Sequence, residues 1–277
     1  MIALGKYAEL EVLRITEPGV YLDGGPLGDL LLPQREVPED LEIGQDLRVF
    51  LYCDSDDRPI ATTIQPLAEA GHFALLQVKD VNHYGAFLDW GLAKDLFVPF
   101  REQHRAMQVG ESVLVYVYVD EDTDRLVASS RLNRFVEKEN QDLERGQAVE
   151  ILVAEVLERA FRVIVNDRYW GRLYRNEVFQ ALAIGDRLPA YVKKIREDRL
   201  LDISLQEQGF NQIPKSAELI LAQLRAQSGF LPLTDKSSPE EIYDALQMSK
   251  KVFKKSLGLL YKRRIVRLEK DGVRLLS

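Results

Sequence analysis

An internal repeat constrains this chain more than any other feature. Residues 19–23 read Gly-Val-Tyr-Leu-Asp, and residues 85–89, which begin 66 positions later, read Gly-Ala-Phe-Leu-Asp. Further landmarks return in the same order, from the apolar run that ends at Pro33 to the strand-like segment that begins at Arg58. A recurring period of this kind indicates repeated structural units, so the unit must be the basis of the fold.

Each repeat reads as a set of short β-strands. Residues 8–15 alternate polar and apolar side chains, as a half-buried strand does, and Gly19 then marks a bend or a close approach of two backbones. Apolar segments that end at Pro33 and Tyr52 follow, and the segment after Pro59 completes a set of five strands. Five short strands hide their edges most economically in a small closed barrel.

A third, weaker copy follows over residues 149–205, with Ala160 where the first two copies have Gly19 and Gly85. The last segment changes its period. Ser238 and Ser249 are placed as helix caps, and the Asp-Gly turn at 271–272 lies between two apolar segments. Three helices followed by a hairpin predict a winged helix-turn-helix.

The predicted fold is therefore mainly β and multidomain: three tandem five-stranded barrels of the OB type, then a C-terminal α+β winged helix-turn-helix domain. The boundaries that the pattern predicts are 1–66, 67–134, 145–208 and 214–277.

Charge is distributed unevenly along the chain. The net charge of −7 is the sum of −12 over residues 1–140, −1 over residues 141–209 and +6 over residues 210–277, so a polyanion is attracted to the rear of the chain. The single cysteine, Cys53, suits a reducing compartment, and from the residue pattern we expect neither a secretion leader nor a membrane-spanning segment. We therefore expect a cytoplasmic protein that does not associate with membranes.

Several motifs resemble one known family. They are Tyr-Gly-Ala-Phe-Leu-Asp-Trp-Gly-Leu at 84–92 with Lys-Asp-Leu at 94–96, and the segments 117–121, 171–174 and 195–205. Over essentially its whole length the chain resembles the bacterial virulence factor B family, in which tandem S1-type RNA-binding barrels precede a winged helix. The resemblance implies an RNA-binding protein that regulates gene expression, including virulence-type gene expression in some bacteria.

The S1 pattern also implies which side chains of the second barrel meet RNA. The implied set is Tyr84, Phe87, Asp120 and Arg125, and the third-strand position falls on Val98, which offers no stacking ring. Bases stack on exposed aromatic rings while cations follow the phosphates. The first barrel is acidic and lacks one aromatic, so we expect it to be the weakest RNA site.

The third barrel is the strongest candidate among the barrels. Arg159 and Arg162 occupy its two aromatic positions and Tyr174 its third-strand position. Further cations lie nearby in the sequence, namely Arg172, Lys193, Lys194 and Arg196. Arginine stacks on bases as well as pairing with phosphate, so this exchange retains the capacity to bind RNA.

The predicted third helix of the last domain carries a second group of cations. Lys250, Lys251, Lys254 and Lys255 project from the helix, and Arg263 and Arg264 lie at its end. Single-stranded RNA is the partner that we expect for this group. A DNA-binding transcription regulator is one alternative, and a scaffold on the ribosome or on RNA polymerase is another.

The sequence contains little that would support a catalytic function. His72, His83 and His104 have no metal-ligand spacing, and the chain has neither a Walker lysine motif nor a dinucleotide glycine fingerprint. We therefore expect a protein that is not an enzyme and that needs no cofactor and no metal.

Overall fold

The computed structural model describes residues 2–137, 142–178, 180–206 and 215–276. The chain divides into two compact units, Met1–Gln208 and Gly209–Ser277. The predicted junction between residues 208 and 214 lies outside the described residues.

The first unit consists of three closed five-stranded barrels. The first contains β1 (Tyr7–Thr16), β2 (Gly19–Asp23), β3 (Asp29–Pro33), β4 (Asp46–Cys53) and β5 (Pro59–Thr62). The second contains β6 (Phe73–Val81), β7 (Gly85–Asp89), β8 (Leu96–Pro99), β9 (Ser112–Asp120) and β10 (Arg125–Ser129). The third contains β11 (Ala148–Val156), β12 (Ala160–Val165), β13 (Tyr169–Tyr174), β14 (Arg187–Ile195) and β15 (Leu201–Ser204).

All three barrels share one topology. The strand order β1-β2-β3-β5-β4 recurs in the second and third barrels, and in each the third strand pairs in parallel with the fifth. The prediction of three tandem five-stranded barrels is confirmed, including the barrel that the sequence repeats only weakly. Closure is favourable because each strand then pairs on both sides and no edge is left open.

Apolar contacts join neighbouring barrels as well as filling each one. Phe50 and Tyr52 of the first barrel meet the buried indole of Trp90 in the second, with ring centroids 5.8 and 6.4 Å apart. Phe73 of the second barrel shares another buried cluster with Ile164 of the third. The clefts between neighbouring barrels are therefore lined by residues of barrels that pack against each other within one compact unit.

The second unit contains three helices and a small sheet. Its elements are α1 (Lys215–Ala226), β16 (Phe230–Leu231), α2 (Pro239–Leu246), α3 (Lys250–Lys262), β17 (Val266–Leu268) and β18 (Val273–Leu275). Ser238 accepts a hydrogen bond from the amide of Glu241 in a capping box, and Ser249 caps α3. The predicted helix starts and hairpin are confirmed, whereas the short β16, which makes the sheet three-stranded in the order β16-β18-β17, was not predicted.

The apolar sides of the helices form the core of this unit. Phe253, Leu257 and Leu260 of α3 are buried against residues of α1 and the sheet, including Leu224 and Val273. The opposite side of α3 is left to solvent, where its lysines lie. None of the helices in the described part of the chain is long and apolar enough to cross a membrane.

Candidate nucleic-acid interface

The second barrel carries a small aromatic cluster on its outer face. Phe87 on β7 lies opposite Phe97 on β8, and their ring centroids are 5.1 Å apart. Tyr84 precedes β7 and is 66% exposed. With Arg125, these rings line a cleft of about 330 Å³. Exposed rings beside a cation form a surface on which a nucleic-acid base can stack.

Phe97 takes the position that the sequence pattern assigned to Val98. Val98 is fully buried inside the barrel, so the predicted third-strand position was wrong by one residue. Side chains of a strand alternate between its two faces, and an offset of one residue therefore exchanges inside and outside. All four residues of β8 have apolar side chains, so no polar residue marked its outer face.

An acidic residue of the first barrel forms ion pairs with the two cations of this cleft. Asp57, in the turn between β4 and β5, lies 2.5 Å from Nη2 of Arg125 and 2.6 Å from Nζ of Lys94. The hydrogen bond from Lys94 and the charges of Lys94 and Arg125 outweigh partial burial and lower the pKa of Asp57. Its carboxylate is therefore charged at neutral pH and competes with phosphate for both cations.

Asp57→Asn is expected to raise the affinity of the full chain for single-stranded RNA about threefold, since exposed ion pairs are worth ~0.2–1 kcal/mol. The substitution releases Lys94 and Arg125 from their shared carboxylate partner. Both cations can then contact phosphates, so RNA binding displaces more of the counterions of the RNA. Filter binding across a series of salt concentrations measures both the affinity and the steeper salt dependence.

Asp124→Asn is the matched control, because Asp124 lies in the corresponding turn of the second barrel with a similar backbone (φ 53° against 61° at Asp57). Asparagine tolerates this left-handed conformation. An equal gain in both variants would mean that overall charge, and not the release of Lys94 and Arg125, changed the affinity.

Asp120 does not join Tyr84, Phe87 and Arg125. It is only 7% exposed, and its carboxylate accepts hydrogen bonds from Arg101 at 2.8 Å and from Thr123. Burial works to raise the pKa of Asp120, but the hydrogen bond from Thr123 and the charge of Arg101 outweigh it and lower the pKa. This residue lines a different, acidic cleft with Glu121 and Asp122, which places it apart from the aromatic cluster.

The outer face of the third barrel carries a row of large side chains. Along β13, Trp170, Arg172 and Tyr174 alternate with the buried Tyr169, Gly171 and Leu173, so all three lie on the outer face. Arg172 lies directly opposite Arg162 of β12, in the pairing that Phe97 makes with Phe87. The residue equivalent to Phe97 is therefore Arg172, and Tyr174 lies two pairs further along, opposite Ala160.

Arg162 is held in a defined orientation on this face. Its guanidinium carbon lies 3.8 Å from the centroid of the Trp170 ring, and one of its nitrogens donates to Oδ1 of Asn133 at 2.9 Å. Glu155 is 3.7 Å away, at the limit of an ion pair. A flat cation that is already ordered loses little entropy when a base stacks on it.

The remaining predicted cations of the third barrel differ in whether an acidic side chain already pairs with them. Arg196 donates to the hydroxyl of Tyr174 and pairs with Asp202 at 2.8 Å, and Lys193 pairs with Glu177. Arg159 and Lys194 are exposed and pair with no acid in the described part of the chain. A phosphate can therefore reach Arg159 and Lys194 without displacing an acid from them, whereas Arg196 and Lys193 are already paired.

The outer face of the first barrel has fewer groups that can bind nucleic acid than those of the other two barrels. Tyr21 corresponds to Phe87, but the guanidinium of Arg14 covers its ring at 4.0 Å and is itself paired with Asp29. Leu31 lies opposite Tyr21, where the second barrel has Phe97. What separates this face from that of the third barrel is the ion pair with Asp29, because a phosphate would have to displace that carboxylate from Arg14.

The winged-helix unit presents its lysines on one side of α3. Lys251 and Lys255 are exposed, and neither forms an ion pair with any residue that the structure describes. Lys254 lies 3.8 Å from Asp235, and Nζ of Lys250 contacts the carbonyl of Lys236. Gly258, one turn after Lys254 and Lys255, leaves open space beside them. At the end of the helix, Arg264 is exposed and Arg263 is half-buried.

Family models match both units. Residues 4–64 and residues 70–131 each match the S1 domain, and residues 218–275 match the CvfB-like winged helix domain. The domain types are therefore those of nucleic-acid-binding proteins and not of catalytic ones.

Similar proteins cover nearly the whole chain. An uncharacterized protein of Bacillus subtilis (strain 168), YitL, is 27% identical over 93% of this chain and 89% of its own length. Conserved virulence factor B of Staphylococcus aureus (strain N315) is 25% identical over 98% of this chain and 94% of its own. A multidomain protein with nucleic acid binding domains from Streptococcus pneumoniae TIGR4, solved by crystallography, is 24% identical, with a TM-score of 0.42 over 99% of this chain and 98% of that one.

Tandem S1-type barrels followed by a winged helix define a class of multidomain protein built from nucleic-acid-binding modules. Within that class, the chain belongs to the virulence factor B-like family.

Proposed function

We propose that this protein binds single-stranded RNA through its third barrel and its winged helix. It catalyses no reaction and acts in the cytoplasm as a regulator of gene expression after transcription. The name of the S. aureus relative, conserved virulence factor B, supports a regulatory role.

The observation that carries the proposal is the row of Trp170, Arg172 and Tyr174 on β13, with Arg162 stacked on the indole. Flat side chains and a cation alternate there at intervals of two residues, as a flexible single strand requires for stacking and phosphate pairing. Arg172 pairs with no acid in the described residues, whereas Arg125 of the second barrel is held by Asp57. The third barrel is for this reason the preferred site.

The lysines of α3 support a second contact with the phosphates. Two sites in one chain raise each other's effective concentration, so modest individual affinities combine into tight binding. The same exposed helix also favours one rival function, the binding of duplex DNA in the major groove by a transcription regulator.

Competition between a single-stranded RNA and a duplex DNA of equal length tests the proposal on the full chain. We expect the single strand to displace the duplex, because the β13 row can stack only on bases that are unpaired. A clear preference for the duplex would instead support the transcription regulator.

Arg172→Ala is expected to weaken binding of the single strand about tenfold, since one stacked base is worth ~1–3 kcal/mol. Arg35→Ala is its control, because Arg35 is an exposed arginine of the first barrel whose only acidic partner among the described residues is the neighbouring Glu36. Equal affinities of these two variants would remove the β13 row from the binding site.

A further inference from the structure

A groove between the second and third barrels contains arginines that belong to neither predicted site. It encloses about 570 Å³ and is lined by Arg105, Arg131 and Arg134 from the second-barrel side and by Arg162, Trp170 and Glu155 from the third. A volume of this size lies within the ~300–1,000 Å³ of clefts that hold small organic groups, so it accommodates a nucleotide.

The lining of this groove is cationic in a part of the chain that is otherwise acidic. Four arginines and Glu155 line the groove, and Glu102 and Glu111 pair with two of the arginines without lining it, so one positive charge remains in excess. By comparison, Lys94 and Arg125 in the aromatic cleft are balanced by Asp57 and Asp95, and the cleft of Asp120 has an excess of acids. Of these three clefts, only the groove favours a polyanion.

Two of its arginines are oriented by carboxylates that lie behind them. Glu102 is 4% exposed and accepts from Arg134 through both oxygens at 2.6 Å, while the Arg134 side chain remains 55% exposed. The two oxygens of Glu111 accept from two different nitrogens of Arg105, at 3.2 Å from Nη1 and 2.6 Å from Nη2. A guanidinium has five N–H donors, so one edge can bind the carboxylate while the others stay open to a phosphate.

Arg131 is the least constrained cation of the groove. It is exposed, and its guanidinium pairs with no acid among the described residues. Because no carboxylate has to be displaced from it, a phosphate that binds there gains the full attraction of the charge.

The groove is continuous with the outer face of the third barrel, because Trp170 and Arg162 line both. We infer that the groove carries a segment of the bound single-stranded RNA from the third barrel toward the second, with phosphates on Arg131 and Arg134 and a base beside the Arg162–Trp170 stack. This inference rests on the proposed function, and it adds a path for the strand that neither barrel face supplies alone.

Arg131→Glu in the full chain tests the groove. With a single-stranded RNA of about 12 nucleotides, we expect about a tenfold loss of affinity and a salt slope lower by about 0.7, the value for one phosphate contact on a single strand. With an RNA of about four nucleotides, near the lower limit of one barrel's site, we expect a smaller loss.

Arg35→Glu is the matched control, since it reverses an exposed arginine that lines none of the three clefts. If Arg131→Glu binds both RNAs as this control does, while Arg172→Ala still weakens binding, the groove is not part of the path and the proposed function stands. If the unaltered chain binds no single-stranded RNA, both proposals fail.

Crosslinking of the unaltered chain provides a readout that does not depend on a variant's folding. A 12-nucleotide RNA that contains 4-thiouridine is expected to crosslink to peptides containing residues 104–105 or 131–134, in addition to those of the third-barrel face. Crosslinks confined to other segments would overturn the inference.

Discussion

The double variant Lys251→Glu/Lys255→Glu is expected to bind single-stranded RNA about 100-fold more weakly at low salt, a loss of about 2.7 kcal/mol at ~1.4 kcal/mol per tenfold. Both side chains are exposed and without an acidic partner in the described residues, so each is open to a phosphate. Their loss is expected to lower the salt slope by about 1.4, from about 0.7 per phosphate contact. Filter binding across salt concentrations measures both quantities.

The fold of the winged helix should survive this change. Lys251 lies in the first turn of α3, where the positive end of the helix dipole stabilises an acidic side chain. Arg225→Glu/Lys236→Glu is the control, because it reverses two exposed charges of the same unit that lie outside α3. Equal losses in both variants would show that the charge of the unit matters and that α3 itself does not.

Gly19→Ala is expected to destabilise the first barrel by about 3 kcal/mol, the upper range for forcing extra volume into a packed site. A Cβ at this position would lie 2.0 Å from the carbonyl oxygen of Leu32 and 2.9 Å from the amide nitrogen of Gln34. Both obstacles are backbone atoms, and the φ of 148° is one that alanine rarely adopts. β2 and β3 would therefore have to separate, which breaks their pairing.

Tryptophan fluorescence in urea follows this unit alone, because both tryptophans of the chain, Trp90 and Trp170, lie in it. Trp90 also contacts Phe50 of the first barrel, so it reports on the barrel that is changed. The midpoint of unfolding is expected to fall, and an unchanged midpoint would mean that β2 and β3 do not approach so closely.

Gly258→Ala makes the same chemical change but is expected to stabilise the protein. It lies within α3, and a Cβ there meets no atom within 4 Å. Alanine is better than glycine in a helix by ~1 kcal/mol, so the winged-helix unit should become more stable. Circular dichroism at the helix bands follows this unit, since the three α-helices among the described residues belong to it.

The third barrel illustrates how one fold acquires different surfaces. Ala160 replaces the glycine of the first two barrels and has a negative φ, so the strand has adjusted to accept a Cβ. The core positions remain apolar while the outer pair changes from Phe87 and Phe97 to Arg162 and Arg172. Binding properties therefore vary between barrels without any change of topology.

Local patterns in the sequence determined most of the architecture. Alternation of polar and apolar residues with glycine and proline at fixed positions predicted the strands, and Ser238 and Ser249 marked the helix starts, because caps and alternation depend only on near neighbours. The lysines of α3 could be found in the same way, since a helix exposes one side at a regular interval.

Tertiary structure alone decided which groups meet. The sequence did not distinguish Phe97 from Val98 on an apolar strand, because alternation shows that faces differ and not which face is outward. Nor did it place Asp57 against Arg125, or Arg131 beside Trp170 in one groove, since these pairs are distant in the chain and meet only where the barrels pack. The contacts between barrels depend on the shapes of two finished surfaces, and no local pattern of residues encodes those.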